Sequence, residues 1–276
     1  MKNKIILTFD LEFWHECDII KNYLPESKEV LPDNVLESTL PLLELLESHN
    51  IKATFFVAGG VAEKYPELIK KIHSAGHEIA SHGYTHRKLE NLGKDEFEKE
   101  IRLSVDLLSE LIGKNPKGFR APYFSLNNKS GWALEALENN GFIYDSSIFP
   151  LKTPLYGDSQ APVDIYKITG KIIELPVAVR TVGPVRIPIA GGFYFRVMPF
   201  FIYKNFLKSV VSKRPVVLYF HPHELYGFVP QIKIPFWRKG IKFFGVKESF
   251  KKFEKLLKLE DFEFTSAESF LKEFMF

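Results

Sequence analysis

The sequence predicts an α/β protein built on a mainly parallel sheet, either a barrel or a doubly wound sheet. Three observations favour this class. Short apolar runs alternate with amphipathic segments, several of the predicted helices end at glycine, and 276 residues are enough for one packed core. Repeated strand–helix units place parallel strands side by side, which is typical of both architectures.

The alternation begins at the amino terminus. KIILTFD is a short run of β formers, and a leucine-rich helix follows over 34–50, for which Asp33 is a candidate cap. KATFFVAGG predicts the second strand, and the helix after it, 61–76, ends at Gly76. HEIAS predicts the third strand.

The second half follows the same order with one interruption. A charged helix is predicted over 94–112, then the strand and exit loop KGFRAPYF, a helix closed by Gly141 and the short strand FIYDSS. Prolines punctuate 149–190, which indicates an irregular insertion with some β structure after the fifth strand. A helix over 199–212, the strand PVVLYFH and a basic C-terminal extension, 225–276, complete the chain.

Composition excludes several classes of protein. A formal net charge of +3 is too small to indicate bulk nucleic-acid binding. The amino terminus runs directly into a predicted strand with no leader pattern, and no run approaches the roughly 18 apolar residues of a membrane span, so we expect a cytoplasmic protein. Cys17 is the single cysteine, and we expect a bystander rather than a nucleophile.

His82 and His86 lie four residues apart in SHGYTH, a spacing that brings two imidazoles to one side of a helical turn. The spacing alone is not specific, because His73 and His77 share it. The predicted helix stop at Gly76 separates that second pair, and His73 is better explained as a cation at a helix C-terminus.

Polar residues stand at the C-terminal ends of five predicted strands, where α/β sheets carry their chemistry. In chain order they are Asp10 and Glu12, His82 and His86, Arg120, Asp145, and His221. Each alone has a structural explanation, such as a loop cap or a surface ion pair. Together they predict metal-assisted hydrolysis of an acyl bond. One carboxylate and two histidines can bind a metal ion and leave coordination positions open for water and substrate. The other carboxylate and a further histidine could then serve as general base and general acid.

These residues also carry a resemblance. TFDLE, SHGYTH, RAPYFS, YDSSIF and YFHPHE resemble the ordered motifs of the NodB-homology polysaccharide deacetylases, carbohydrate esterase family 4, and AGGFYFR and FHPHE resemble its exopolysaccharide-biosynthesis subgroup. The resemblance implies a distorted (β/α)7 barrel forming one domain over 1–276. It also implies removal of acetyl groups from N-acetylated sugars during polysaccharide or glycan biosynthesis.

The resemblance further implies a role for each residue. Asp10 would be the general base held by Arg120, and His221 the general acid oriented by Asp145. The backbone N–H of Tyr123 would help to form the oxyanion hole. Phe149 would line the hydrophobic surround of His221. Further candidates for contact with substrate are Tyr123, Phe124, His223 and Glu224.

One divalent ion, by expectation zinc with cobalt or nickel as alternatives, would be bound by His82, His86 and Glu12. The first motif departs from the common form of the family, which has two adjacent aspartates, because Leu11 separates Asp10 from Glu12. Alternation along an extended segment still places Asp10 and Glu12 on one side. His15 is a reserve ligand, or else a loop or substrate-facing residue.

Two other functions stay open. A hydrolase of small cyclic amides or ureides, resembling allantoin-degrading relatives, would not need the histidine pair, and an inactive carbohydrate-binding homologue would not need the acid and base. The expected substrate is an N-acetylated sugar that is nucleotide-linked, lipid-linked or part of an oligosaccharide. The basic, aromatic stretch 232–258 is either a solvated face with its aromatic residues turned into the barrel or a patch that contacts the inner face of a membrane.

Overall fold

A nine-stranded sheet forms the centre of the molecule, and a separate two-stranded hairpin lies outside it. The structure is a computed structural model that describes residues 3–25, 31–127, 130–153 and 156–274. Within these ranges the strands are β1 (Lys4–Leu11), β2 (Thr54–Val57), β3 (Glu78–Ser81), β4 (Gly118–Phe119), β5 (Tyr144–Asp145), β6 (Tyr166–Lys167), β7 (Ile173–Glu174), β8 (Val179–Val182), β9 (Val185–Pro188), β10 (Val216–Phe220) and β11 (Glu263–Thr265).

The sheet curls towards a barrel. Its strand order is β10-β1-β2-β3-β4-β5-β7-β6, with β11 beside β1, and all neighbouring pairs are parallel except β6 and β7. A single bridge joins Val177, just beyond β7, to Val217 of β10. The predicted α/β architecture is confirmed, whereas a strict sevenfold strand–helix count is not, because β5 reaches β7 through β6 rather than through a helix.

Twelve α-helices in the described ranges accompany the sheet. They are α1 (Val35–Ser48), α2 (Gly59–Lys64), α3 (Pro66–Ser74), α4 (Leu89–Leu92), α5 (Lys94–Ile112), α6 (Trp132–Asn139), α7 (Gly192–Val197), α8 (Phe200–Val211), α9 (Pro222–Leu225), α10 (Phe236–Phe243), α11 (Val246–Leu257) and α12 (Ala267–Phe274). None of these described helices is long and apolar enough to cross a membrane.

Local chemistry accounts for several of these boundaries. The side chain of Asp33 accepts a hydrogen bond from the backbone N–H of Val35 at 3.0 Å, which satisfies one of the free amides at the start of α1. The predicted helix 61–76 is in fact two helices, because Pro66 lacks the N–H that a helix interior needs and instead begins α3.

The predicted insertion 149–190 contains β structure, as expected, in two different forms. Ile173 and Glu174 form β7 and extend the main sheet beside β5, whereas β8 and β9 pair only with each other. Helix α10 has no counterpart among the predicted elements, and it matters for the site below.

The register of the parallel strands lines up their C-terminal ends along one edge. The last residues of five strands are paired in sequence: Leu11 with Val57, Val57 with Ser81, Ser81 with Phe119, and Phe119 with Asp145. Phe9 of β1 is paired with Phe220, the last residue of β10. The residues that follow these strands therefore meet at one edge of the sheet, as expected for a parallel arrangement.

Candidate active site and metal centre

Three of the predicted metal ligands come together at this edge. Glu12, His82 and His86 are buried, and each offers a ligand atom within 4.8 Å of the others. An oxygen of Glu12 (Oε2) lies 2.5 Å from Nε2 of His86 and 3.6 Å from Nε2 of His82. His15 is not part of this cluster: its ring stacks on Phe13 at 5.2 Å, so the structure does not support it as a reserve ligand.

The hydrogen bonds of the two histidines fit a bound cation. Nδ1 of His82 lies 2.7 Å from the carbonyl oxygen of Arg120, and a carbonyl can only accept, so Nδ1 carries the proton and Nε2 is left with a lone pair. Nε2 of His86 faces the carboxylate of Glu12 at 2.5 Å, and its buried Nδ1 makes no hydrogen bond to the described residues. The ligand atoms of Glu12, His82 and His86 thus face one another, and a metal ion would fit between them.

The charge of Glu12 is also suited to binding a cation. Burial alone would raise the pKa of this carboxyl, but the positive charges of His86 and His221 hold it well below its usual range. The carboxylate is therefore ionised beside two imidazoles. This donor set matches a site for one divalent cation with open coordination positions.

Asp10 and Arg120 form the second component of the site, as predicted. The guanidinium Nη1 of Arg120 donates to Oδ1 of Asp10 at 2.6 Å and to the hydroxyl of Thr8 at 2.9 Å. Its Nε and Nη2 donate to the carbonyl and hydroxyl of Ser146, and the group lies 4.1 Å above the ring of Phe56. Arg120 is completely buried, so it holds Asp10 in one position at the edge of the sheet.

His221 forms the third component, and its partner differs from the predicted one. Nδ1 of His221 lies 2.9 Å from Oε2 of Glu224, while its Nε2 faces Oε1 of Glu12 at 3.5 Å. The other oxygen of Glu224 accepts a hydrogen bond from Nη1 of Arg196 at 2.7 Å. An arginine–carboxylate–imidazole chain therefore orients His221, and Arg196 is a site residue that the sequence analysis missed.

Asp145 was expected to orient His221, and that expectation is wrong. Its side chain accepts hydrogen bonds from the backbone N–H of Ser147 at 3.0 Å and from the hydroxyl of the same residue at 2.6 Å. It also contacts the buried carboxyl of Glu174. Burial and the negative charge of Asp145 raise the pKa of Glu174 well above its usual range. Asp145 is thus half of a buried carboxyl pair with Glu174, and its hydrogen bonds go to Ser147 rather than to His221.

The pKa of His221 follows from its surroundings. Burial alone would lower it, but the carboxylates of Glu12 and Glu224 outweigh burial and raise the pKa to about 9. Burial would likewise raise the pKa of Glu224, yet Arg196 and His221 hold it well below its usual range. At neutral pH the structure therefore presents a protonated imidazole to the cavity.

Two glycines in AGGFYFR make room for this arrangement. A Cβ on Gly192 would lie 2.0 Å from Oε2 of Glu224, far inside van der Waals contact. Gly191 has φ of +97°, which favours glycine, and a Cβ there would lie 2.7 Å from the hydroxyl of Tyr219. The glycines thus allow α7 to approach Glu224 and deliver Arg196 to it.

All three components face one cavity of about 530 Å³. Tyr123 and Phe124 line it, and both have positive φ, 58° and 50°, a conformation that costs energy in residues with side chains and is frequent at functional sites. Cys17 also lines the wall, and its thiol is free.

Two predicted substrate contacts do not reach this cavity. Phe149 is buried, with its ring centroid 5.7 Å from that of Phe124, so it packs behind a residue that lines the cavity. His223 stacks on His221 at 5.1 Å, and its Nε2 lies 3.1 Å from Nζ of Lys242. It lines a separate small cavity behind the site. The glutamate that follows, Glu224, reaches the main cavity but is engaged with His221 and Arg196.

The C-terminal extension completes the cavity. Trp237, Arg238, Ile241 and Lys242 of α10 line it opposite the strand ends. Nε and Nη2 of Arg196 donate to the carbonyls of Phe244 and Lys242, at 2.9 and 3.0 Å, so the arginine that holds Glu224 also holds the end of α10.

A parallel α/β fold with a carboxylate–imidazole cluster, a buried Asp–Arg pair and a further histidine at its strand ends is typical of a hydrolytic site. Residues 2–142, just over half of the chain, match the family described as "Polysaccharide deacetylase", and the chain belongs to that family. Residues 146–272 match a second family, described as "Domain of unknown function (DUF3473)".

Curated relatives match parts of the chain. The chain is 42% identical over 101 residues to "Peptidoglycan-N-acetylglucosamine deacetylase" of Bacillus cereus, covering 36% of this chain and 37% of that protein. It is 33% identical over 162 residues to "Peptidoglycan deacetylase" of Helicobacter pylori, covering 57% and 54%. The matches thus span about half or less of the length of these relatives.

The fold is shared with solved structures over nearly the whole chain. A crystal structure titled "putative polysaccharide deacetylase from Mycobacterium smegmatis" superposes with a TM-score of 0.66 at 21% identity, covering 99% of this chain and 90% of that one. This likeness confirms the predicted α/β fold class. The proposed exopolysaccharide subgroup stays a prediction.

Proposed function

We propose that this chain is a metal-dependent carbohydrate N-deacetylase, which hydrolyses the acetamide of an N-acetylated sugar. One observation carries the proposal: the Glu12–His82–His86 cluster, the Asp10–Arg120 pair and the imidazole of His221 converge on a single cavity. Membership of the deacetylase family and the names of the matched relatives support the same reaction.

The metal centre consists of Glu12, His82 and His86 in this proposal. A divalent ion held by these residues would polarise the acetyl carbonyl and lower the pKa of a nearby water. We propose zinc, and cobalt and nickel also suit one carboxylate and two imidazoles.

Asp10 is the proposed general base. Arg120 occupies Oδ1 of Asp10 with a charge-assisted hydrogen bond, and the carboxylate lines the cavity. Asp10 takes one proton from the attacking water as the water oxygen forms its bond to the acetyl carbon. Because Arg120 fixes its position, the carboxylate of Asp10 is already oriented for proton transfer when the substrate binds.

His221 is the proposed general acid. Its pKa of about 9 keeps it protonated at neutral pH, and Glu224 holds the ring with Nε2 towards the cavity. When the carbon–nitrogen bond breaks, its electron pair stays on the sugar nitrogen, which takes the proton from His221. The products are acetate and a free amine. Glu224 and Arg196 act through His221 as positioning residues.

Tyr123 is proposed to contribute its backbone N–H to the developing oxyanion. The turn that carries this residue has positive φ at both Tyr123 and Phe124, which turns their peptides differently from those of a regular strand exit. The ring of Tyr123 lies beside His86, 4.8 Å away, so the turn borders the metal cluster.

The proposed substrate is a single N-acetylated sugar residue, carried on a nucleotide, a lipid or the end of an oligosaccharide. A cavity of about 530 Å³ that α10 covers on one side suits one or two sugar rings better than the interior of a long polymer. A role in polysaccharide or glycan biosynthesis and a cytoplasmic location are part of the proposal, and fractionation of cells producing the tagged chain tests the location.

Acetate release tests the function. The purified protein is incubated with N-acetylated oligosaccharides, nucleotide sugars and lipid-linked sugars, before and after treatment with a chelator and after zinc is restored. We expect release from at least one substrate, loss with chelator and recovery with zinc. Acetate release that survives complete metal removal would show that the reaction does not need the metal, and no release with full metal occupancy would favour one of the two alternatives, a cyclic-amide hydrolase or a binding homologue.

A further inference from the structure

Helix α10 is turned the opposite way from an ordinary surface helix. The exposed fractions of Phe236, Trp237 and Phe244 are 90%, 58% and 60%, and Ile241 is also exposed. With Gly240, these residues lie at positions that share one face of the helix and its end. This apolar side of α10 therefore faces outward. The expectation that the aromatic residues turn into the barrel is wrong for Phe236 and Phe244, whereas Phe243 is half-buried and lines the small cavity behind the site.

Two of the three cationic side chains of α10, Arg238 and Lys242, face inward instead. Nη1 of Arg238 donates to the carbonyl of Ile19 at 2.7 Å, and its guanidinium lies 5.0 Å above the ring of Tyr23. Lys242 is buried, with its Nζ 3.1 Å from Nε2 of His223. These contacts, together with the hydrogen bonds from Arg196 to the carbonyls of Lys242 and Phe244, fix the orientation of the helix. The exposed apolar face is thus held in place by the protein itself.

Exposed lysines bracket this face. Lys233 precedes Phe236 by three residues, and Lys247 follows Phe244 by three; both are exposed, and no carboxylate of the described residues lies within 4 Å of either ammonium group. Lys251 and Lys255 continue the series from Lys247 at helical spacing along α11. From 231 to 247 the sequence contains no aspartate or glutamate.

We infer that the exposed face of α10, with its bracketing lysines, docks on an anionic lipid surface. Aromatic side chains beside unpaired cations match a bilayer interface, where rings enter the headgroup region and ammonium groups meet lipid phosphates. A second copy of this chain fits less well, since a twofold contact through α10 would set the same acid-free cationic segment against itself. A neutral sugar polymer would leave the lysines without a role.

The position of α10 beside the cavity means that docking on a lipid surface would affect which substrates the protein meets. Trp237 and Ile241 belong to the exposed face and also line the active-site cavity, so a docked protein would open its cavity at the lipid surface. This part rests on the proposed deacetylase function, and it names the substrate class: an N-acetylated sugar attached to a membrane lipid. The docking itself does not depend on catalysis.

Vesicle sedimentation tests the docking. Wild-type protein is mixed with vesicles of phosphatidylcholine alone or of phosphatidylcholine with phosphatidylglycerol, at low and high salt. We expect about tenfold stronger partitioning onto the anionic vesicles at low salt, weakened by added salt because screening shortens the attraction. Absent binding, or equal binding to both kinds of vesicle, would overturn the inference.

Variants locate the face. Phe236→Ser with Phe244→Ser removes two exposed rings that do not line the cavity, and we expect vesicle binding to fall at least tenfold while acetate release from a short soluble sugar stays unchanged. Phe201→Ser is the matched control, because this ring of α8 is 69% exposed but lies outside α10. Unchanged vesicle binding in the double variant would contradict the inference. A wild-type dimer that the double variant converts to monomer would also contradict it and assign the face to a second copy.

The substrate class has its own measurement. We expect the double variant to deacetylate a lipid-linked N-acetylated sugar in anionic vesicles at least tenfold more slowly than wild type, with no change on the soluble sugar. Equal rates on the vesicle substrate would overturn the substrate assignment while leaving docking intact. Failure of every acetate-release assay beside normal vesicle binding would instead count against the proposed function alone.

Discussion

The two walls of the cavity are built in different ways. The first wall consists of residues at the C-terminal ends of parallel strands or directly after them, Asp10, Glu12, His82 and Arg120, and the strand register sets their positions. The second wall consists of Glu224 on α9, Arg196 on α7 and the residues of α10 that line the cavity. Hydrogen bonds from the side chain of Arg196 and between Glu224 and His221 hold these short helices together. The first wall corresponds to the part of the chain that matches the deacetylase family, and the second to the part that matches a domain of unknown function.

This difference indicates a division of work. The strand-end wall holds the proposed metal ligands and the proposed base, which hydrolysis of an acetamide would need in a rigid arrangement. The helical wall holds the residues that orient the proposed acid, His221, and it borders the cavity. Substitutions in the first wall should therefore abolish the reaction, and those in the second should tune it.

Asp10→Asn should have the largest effect on turnover. Asparagine keeps the shape but cannot accept the water proton, so we expect kcat to fall by a hundredfold or more, on the order expected for positioned proton transfer, with the metal retained. Because buried Arg120 loses its charged partner, the free energy of unfolding should also fall by about 3 kcal/mol. Steady-state kinetics, with the folded fraction measured at the assay temperature, checks this.

The same variant distinguishes the two carboxylates of the first wall. If Asp10→Asn loses its metal while Glu12→Gln retains it, the roles of Asp10 and Glu12 are exchanged relative to the proposal. Metal content of both purified variants decides between the two assignments.

Glu224→Gln should have an intermediate effect and test the second wall. Glutamine fills the same space without the charge, and loss of a residue that orients a functional group typically costs tenfold to a hundredfold, so we expect kcat to fall about tenfold. The carboxylate of Glu224 favours the protonated imidazole, so its removal lowers the pKa of His221 from about 9. The reaction needs protonated His221, and the basic limb of the pH–rate profile should therefore move to lower pH.

Asp145→Asn is the matched control for this shift. The side chain of Asp145 hydrogen-bonds to Ser147 and contacts Glu174 rather than His221, so the basic limb should keep its position on folded protein. A shift in Asp145→Asn with none in Glu224→Gln would restore the assignment that the family resemblance implied.

Gly192→Ala should have the smallest effect on kcat of the series. It would disturb the orientation of His221 through Glu224 without removing a polar group. The added Cβ would lie 2.0 Å from Oε2 of Glu224 and must push the carboxylate aside. We expect a smaller loss of kcat than in Glu224→Gln, with the basic limb moved in the same direction. Gly170→Ala, where a Cβ meets open space, should behave as wild type. Wild-type kinetics in Gly192→Ala would show that the contact between Glu224 and His221 is not needed.

The first wall was predictable from the sequence because local rules determine it. A parallel sheet aligns its strand ends, so Asp10, His82 and Arg120 could be expected at one edge before any contact was known. Side-chain alternation likewise placed Glu12 on the same side as Asp10.

The second wall was not predictable in this way, because its contacts join segments that are distant along the chain. Arg196 and Glu224 are 28 positions apart, and their pairing depends on the space that Gly192 leaves open. AGGFYFR contributes to the family resemblance, but nothing local indicates that its arginine meets Glu224. The expectation for Asp145 failed for the related reason that a motif does not show which way a two-residue strand turns a side chain.

Metal content tests the central claim, that Glu12, His82 and His86 form one metal centre at the strand ends. Wild type, the double variant His82→Ala/His86→Ala and the control His49→Ala, which alters a histidine at the end of α1, are purified, loaded with zinc and freed of excess by dialysis. We predict one equivalent of zinc in wild type and control, and almost none in a double variant whose circular dichroism stays native. Stoichiometric zinc in the double variant would contradict the account.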